Sequence, residues 1–297
     1  MQRILALLLA FLVASCAAEQ EQEPIGRIVT IGGDMTEIVF ALGAGDRIVA
    51  ADDRSFYPEQ VNAIPKVGYL RRLSAEGVLA TDPDLVLISG AAGPEAALEQ
   101  IRGVGIEIVE MPEVYSLEGL MEKVRRVAEA IGKVEAGEEL VAKIEAEWQS
   151  AQAEIARFDA PPRALFFTML REGVPQAAGT DTAAHGVIEL LGGTNLFASQ
   201  SGYTPISTEA AVAADPDIIL VMTHDAGQNG GLDGIVASPA IGLTEAVQAG
   251  RVFLVDSVQI MQFGPRLPKA MAELAKAINE GRQAFEIPSD ASPDSTS

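Results

Sequence analysis

Ser74-Ala75-Glu76-Gly77-Val78-Leu79-Ala80-Thr81-Asp82-Pro83-Asp84-Leu85-Val86-Leu87-Ile88 has a second copy in this chain. Ser207-Thr208-Glu209-Ala210-Ala211-Val212-Ala213-Ala214-Asp215-Pro216-Asp217-Ile218-Ile219-Leu220-Val221 follows it at a constant offset of 133 residues. Each copy opens with a serine suited to cap a helix, and an acidic residue lies in the first turn. An Asp-Pro-Asp turn then leads into a β-branched apolar strand. Any α/β protein can hold two helix-turn-strand units. Here capping residue, acid, turn and strand all coincide at one offset, which favours two similar α/β lobes.

Working outward, Arg27–Ile31 reads as a strand ending in Gly32-Gly33-Asp34, with a helix over Met35–Leu42 and a second strand over Arg47–Ala51. A third unit holds Tyr69, the helix from Ser74 and the strand Leu85–Ile88, and a fourth carries the strand Ile106–Val109. This rhythm implies a parallel sheet. From Ser116 the pattern turns helical, and Leu140, Val141, Ile144, Trp148, Ala151 and Ile155 keep one apolar stripe. A helix over Lys133–Phe158 would be about 39 Å long, the length of a strut between lobes. Pro161-Pro162 stops it, and Ala164–Thr168 opens the second lobe. The expected architecture is α/β: two Rossmann-like lobes with parallel-type sheets, joined by one long α-helix, with the ligand cleft between them. The expected boundaries are 25–115 for the first lobe, 116–160 for the helical segment and 161–287 for the second lobe. A Ser/Asp/Pro-rich tail over 288–297 has the composition of disorder.

The N-terminus reads as a targeting segment over residues 1–18. Arg3 supplies the positive charge, and Ile4–Val13 is an apolar run too short to span a bilayer. Val13-Ala14-Ser15-Cys16 resembles a bacterial lipobox, which makes Cys16, the sole cysteine, the expected lipidation site. Cleavage after Ala18, giving a soluble periplasmic protein, is the alternative. Either way the chain is exported, and no intrachain disulfide can form. The 297 residues are 48% hydrophobic and carry a formal net charge of −21. That charge repels phosphate backbones and argues against nucleic acid as a partner. An anionic ligand would need a local arginine cluster working against the overall field.

Tyr69-Leu70-Arg71-Arg72 offers such a cluster just ahead of the first repeat. Phenolate is a hard anionic ligand suited to ferric iron, and arginines suit carboxylates. By itself, Tyr69 reads first as a loop aromatic packed on its lobe. No catalytic motif is present: Gly32-Gly33 lacks the G-x-G-x-x-G spacing and a Walker lysine, and there is neither H-E-x-x-H nor G-x-S-x-G.

The exported chain, the paired lobes, the connecting helix and the twinned Ser-x-Glu…Asp-Pro-Asp units resemble the substrate-binding proteins of bacterial ABC importers. The resemblance is to the rigid-helix class serving vitamin B12, ferric siderophores and haem, and it covers roughly Ile25–Ile287. Pro65-Lys66-Val67-Gly68-Tyr69-Leu70-Arg71 followed by Leu73-Ser74-Ala75-Glu76-Gly77 is similar to the haem-binding subgroup. The resemblance implies that Tyr69 is the axial ligand to ferric haem, the transported ligand. It also implies that Glu76 and Glu209 dock onto arginines of the inner-membrane permease. Both glutamates would equally complement helix dipoles.

A cation such as Arg71 would stabilise the phenolate and meet a propionate. Other cleft candidates come from strand ends, where open α/β sheets place their ligands. Arg266 is the leading second-lobe propionate partner, with Arg171 behind it. His224 is a candidate second axial ligand or propionate donor, or else an exposed loop histidine. His185 reads as a surface residue. The expectation is therefore a monomeric, non-enzymatic haem carrier of iron acquisition. The same fold carrying a ferric siderophore or corrinoid is the alternative. An exported hydrolase using serine, His185 or His224, and aspartate is the reading from another class.

Overall fold

A computed structural model describes residues 26–90, 92–168 and 174–281. Cys16, Arg171 and the tail from 288 lie outside them.

The first sheet holds β1 (Ile28–Ile31), β2 (Ile48–Ala51), β3 (Leu85–Ser89) and β4 (Glu107–Met111) in the order β2-β1-β3-β4, all parallel. Its helices are α1 (Gly33–Ala41), α2 (Ala75–Leu79) and α3 (Glu95–Gly103). Then come α4 (Leu117–Ala130) and α5 (Val134–Ile155). The second lobe holds β5 (Arg163–Thr168), β6 (Gln176–Ala178), α6 (Ala183–Leu190), β7 (Thr194–Asn195), β8 (Tyr203–Pro205) and α7 (Thr208–Ala214). It continues with β9 (Ile218–Met222), α8 (Thr223–Gln228), α9 (Gly231–Val236), α10 (Glu245–Gln248), β10 (Val252–Val255) and α11 (Leu267–Glu280).

The second sheet corrects the expectation of two parallel-type sheets. Its order is β10-β9-β5-β6-β8 with β7 beside β5, and both the β5–β6 and β6–β8 pairs are antiparallel. Only seven residues separate β5 from β6, too few for a crossover helix, so the chain must double back. The strut is also shorter than expected. α5 has 22 residues, about 33 Å, because Lys133 only caps it and its end tightens, with the Arg157 and Phe158 N–H groups donating to the Glu154 and Ile155 carbonyls. Gly137 does not break α5; a Cβ there would lie 2.5 Å from the Ala128 Cβ, so this glycine lets α5 pack tightly on α4.

The repeat is real in three dimensions. Ser74 Oγ accepts from the Gly77 N–H (3.3 Å) and Ser207 Oγ from the Ala210 N–H (3.2 Å). Asp82 and Asp215 both adopt left-handed backbone, at φ 47° and 49°. Asp84 accepts from the Arg27 N–H and Asp217 from the Arg163 N–H, each at 2.8 Å. The guanidiniums of Arg27 and Arg163 reach back to the carbonyls of Thr81 and Ala214 at the ends of the two helices.

Each sheet buries its outer face in a small core of its own. The inner faces share a single core that runs from Ile28 and Met35 through α4 and α5 to Phe166, Phe253 and Met271. The two lobes are thus joined by continuous apolar packing as well as by chain.

Candidate functional site

In parallel sheets the loops at the carboxyl ends of the strands face the ligand. After β2, the segment 65–68 runs alongside 51–53: Ala51 bridges Lys66, and the Asp53 N–H donates to the Gly68 carbonyl at 3.0 Å. Arg54 and Tyr69 are the next residues along the two segments. The loop bearing Arg54 is held by a buried polar chain. Ser55 Oγ donates to Asp52 (2.7 Å) and meets Thr36 Oγ1 (2.7 Å), which meets Thr30 Oγ1 (2.6 Å). Burial pushes the Asp52 carboxyl up, against the hydrogen bond from Ser55.

Tyr69 is half-buried, and the Arg72 guanidinium lies 5.8 Å from its ring centroid, within cation–π range. Arg54, Arg71 and Arg72 are exposed, and none of their guanidiniums makes a hydrogen bond or ion pair within the described residues. Every other described arginine does, to a carbonyl or a carboxylate. In a chain with twice as many acids as bases, these three free guanidiniums sit in the two adjacent loops flanking one tyrosine.

Two more tyrosines feel the Arg71 charge, Tyr115 in the segment after β4 and Tyr203 on β8 of the second lobe. Tyr203 is pushed up to about 12, mainly by burial and further by the Asp225 carboxylate, with Arg71 opposing. Burial likewise raises Tyr115, with Glu113 adding to the rise and Arg71 again opposing it. The Arg71 charge therefore reaches one tyrosine of each lobe. Asp225 is buried and accepts a short hydrogen bond from Thr168. Tyr115 packs edge-on against Phe263, with ring centroids 5.3 Å apart.

Arg266, the leading expected second-lobe propionate partner, is already engaged: its N–H and Nε each donate to Glu37 at 3.0 Å. Nη2 approaches Glu37 Oε2 at 2.9 Å as an ion-pair contact, off the hydrogen-bond direction. Its guanidinium also stacks 3.6 Å from the Tyr57 ring centroid. Glu37 is buried, which raises its pKa against the pull of Arg266. Withdrawing Arg266 would strand that carboxylate, at a cost of about 3–5 kcal/mol. One turn earlier on α1, Asp34 takes Lys123 at 2.6 Å. Two buried pairs thus stitch α1 to α4 and to the loop before α11.

His224 is exposed on α8, not in a loop, and pairs with Gln228 at 2.9 Å. His185 is partly buried, not superficial; it meets Asn195 at 3.2 Å and Glu189 at 3.4 Å. It lines a concavity of about 420 Å³ together with Glu113, Tyr115, Asp181 and Glu189, whose carboxylates would repel an anionic ligand. Glu76 and Glu209 are both exposed. Glu209 is held below the usual range by its own backbone N–H and by Ser207. No group of three His, Cys, Asp or Glu among the described residues could hold a metal ion, and no helix there is long and apolar enough to cross a membrane.

Residues 28–258 match the family model described as periplasmic binding protein. The chain belongs to that family. Among solved structures it is similar to the periplasmic heme-binding protein RhuT from Roseiflexus sp. RS-1 in apo form, at 37% identity and a TM-score of 0.81, covering 86% of this chain and 99% of that one. An uncharacterized ABC transporter substrate-binding lipoprotein, YvrC of Bacillus subtilis, is 27% identical over 85% of this chain and 79% of its own length. The vitamin B12-binding protein of Vibrio campbellii is 27% identical over 70% of this chain and 74% of its own. The chain is thus a substrate-binding protein of the kind that serves ABC transporters.

Proposed function

We propose that this protein is exported, captures ferric haem between its lobes and delivers it unaltered to the inner-membrane permease of an ABC transporter. The reading is carried by the setting of Tyr69, a half-buried phenol flanked by guanidiniums that make no hydrogen bond or ion pair among the described residues. Ferric iron displaces the phenolic proton, and a neighbouring cation favours the phenolate that remains. Tyr69 is then the axial ligand, and Arg71 meets a propionate. Arg171 and His224 are the second-lobe candidates for further contacts. Glu76 and Glu209 dock the loaded protein, one per lobe, and a lipid on Cys16 would hold it at the membrane.

The B12-binding relative supports a second reading, in which the cleft takes a corrinoid and Tyr69 is only a contact. Titration of the purified protein with ferric haem and with cyanocobalamin, followed by absorbance, separates the two. Saturable haem binding with a tyrosinate-to-iron charge-transfer band is expected. Saturation by cyanocobalamin with no saturable haem binding would overturn the haem reading.

A further inference from the structure

We propose that Arg54 is a carboxylate-binding residue of the ligand site, giving the first lobe a second guanidinium for a second carboxylate beside the one met by Arg71. The proposal rests on the haem reading and deepens it. Ligand recognition by Arg54 would favour a flat ligand bearing two free carboxylates over one whose periphery is neutral amide.

Three observations converge on Arg54. Its position is fixed, because the backbone pairing of Asp53 with Gly68 brings Arg54 alongside Tyr69. Its loop is rigid, because the buried chain from Asp52 through Ser55 to Thr36 anchors it from below and the Arg54 carbonyl accepts from Gln262 Nε2 of the second lobe at 3.0 Å. Its guanidinium is uncommitted, in a molecule where nine described arginines are engaged. An anchored loop needs no backbone ordering on binding, so only side-chain rotamer freedom is given up, and a planar fork suits a carboxylate. Phe56, two residues on, is half exposed and adds apolar surface beside the charge, the pairing that an amphiphilic ring with acidic edges requires.

Iron-free protoporphyrin IX and its dimethyl ester test the point without involving Tyr69 ligation. Binding is read by fluorescence for the purified protein and for Arg54→Gln, with Arg54→Lys as the charge-retaining control. The unaltered protein should prefer the free acid. Arg54→Gln should bind the free acid about 10- to 100-fold more weakly, the worth of a charge-assisted hydrogen bond. Its affinity for the ester should be unchanged, and Arg54→Lys should recover part of the loss. Arg54→Gln binding the free acid as tightly as the unaltered protein would overturn this inference alone. An unaltered protein that binds neither porphyrin nor ferric haem would overturn the haem reading and this inference with it.

Discussion

Gly68-Tyr69 and Gly202-Tyr203 occupy nearly equivalent places in the two lobes. Each glycine takes a positive φ, 95° and 73°. Each carbonyl accepts a backbone N–H from a neighbouring segment, Asp53 in one lobe and Gly179 in the other. Each tyrosine stands a few residues before a serine-capped helix with an exposed glutamate in its first turn. Their surroundings differ in sign. Tyr69 has Arg72 over its ring and Arg54 alongside, whereas Tyr203 faces the buried Asp225 carboxylate. The two lobes share a scaffold, but burial first, and then the Asp225 carboxylate, hold the proton on Tyr203.

The largest expected effect tests that contrast. Tyr69→Phe should abolish the charge-transfer band and weaken ferric haem binding by on the order of 100-fold or more, beyond the 10–100-fold typical of outer-shell partners. Tyr203→Phe should keep the band and lose less than about tenfold, the size of one hydrogen bond. If both variants behaved alike in a haem titration, the electrostatic contrast would carry no function.

Next comes alkaline stability. Tyr203 is raised in the folded state to about 12 from 10.0. Between those pH values the unfolded chain holds fewer protons than the native one, so stability is full below pH 10 and is lost as pH rises towards 12. The loss amounts to about 2–3 kcal/mol. Urea denaturation at pH 9 and pH 11 should show a smaller drop for Tyr203→Phe than for the unaltered protein. Tyr115 adds a contribution of the same sign that the variant leaves in place.

The capping serines are the symmetric control. Ser74→Ala and Ser207→Ala should each cost about 0.5–2 kcal/mol in urea denaturation, with neither changing haem affinity. A large inequality between them would mean that the two copies differ in more than their charges. Smallest for the fold itself are Glu76→Ala and Glu209→Ala, which should leave the urea midpoint nearly where it was. Both should leave haem binding intact and lower uptake by permease reconstituted in vesicles. Undiminished uptake would remove the docking role.

Much of this was legible in the chain. The copies at one offset were enough for the paired lobes, the capping serines and the Asp-Pro-Asp turns, because such signals are local. Long-range pairings were not. Glu37 and Arg266 lie 229 residues apart, so nothing near Arg266 reveals that its charge is already neutralised. The Gly-Tyr copy was hidden by spacing: four residues lie between Tyr69 and Ser74, but three between Tyr203 and Ser207, which breaks the constant offset. Arg54 escaped because its meaning is comparative. A lone arginine in a loop says little until the other guanidiniums are seen to be occupied.

The inner core that runs unbroken from one sheet to the other also bears on how the molecule comes apart. Neither half buries its inner face without the other, since Met35 and Leu120 share one cluster with Phe166 and Met271. A fragment ending after the first sheet would expose that cluster to water and invite aggregation. Heating should therefore melt the protein in a single calorimetric transition, with both lobes failing together.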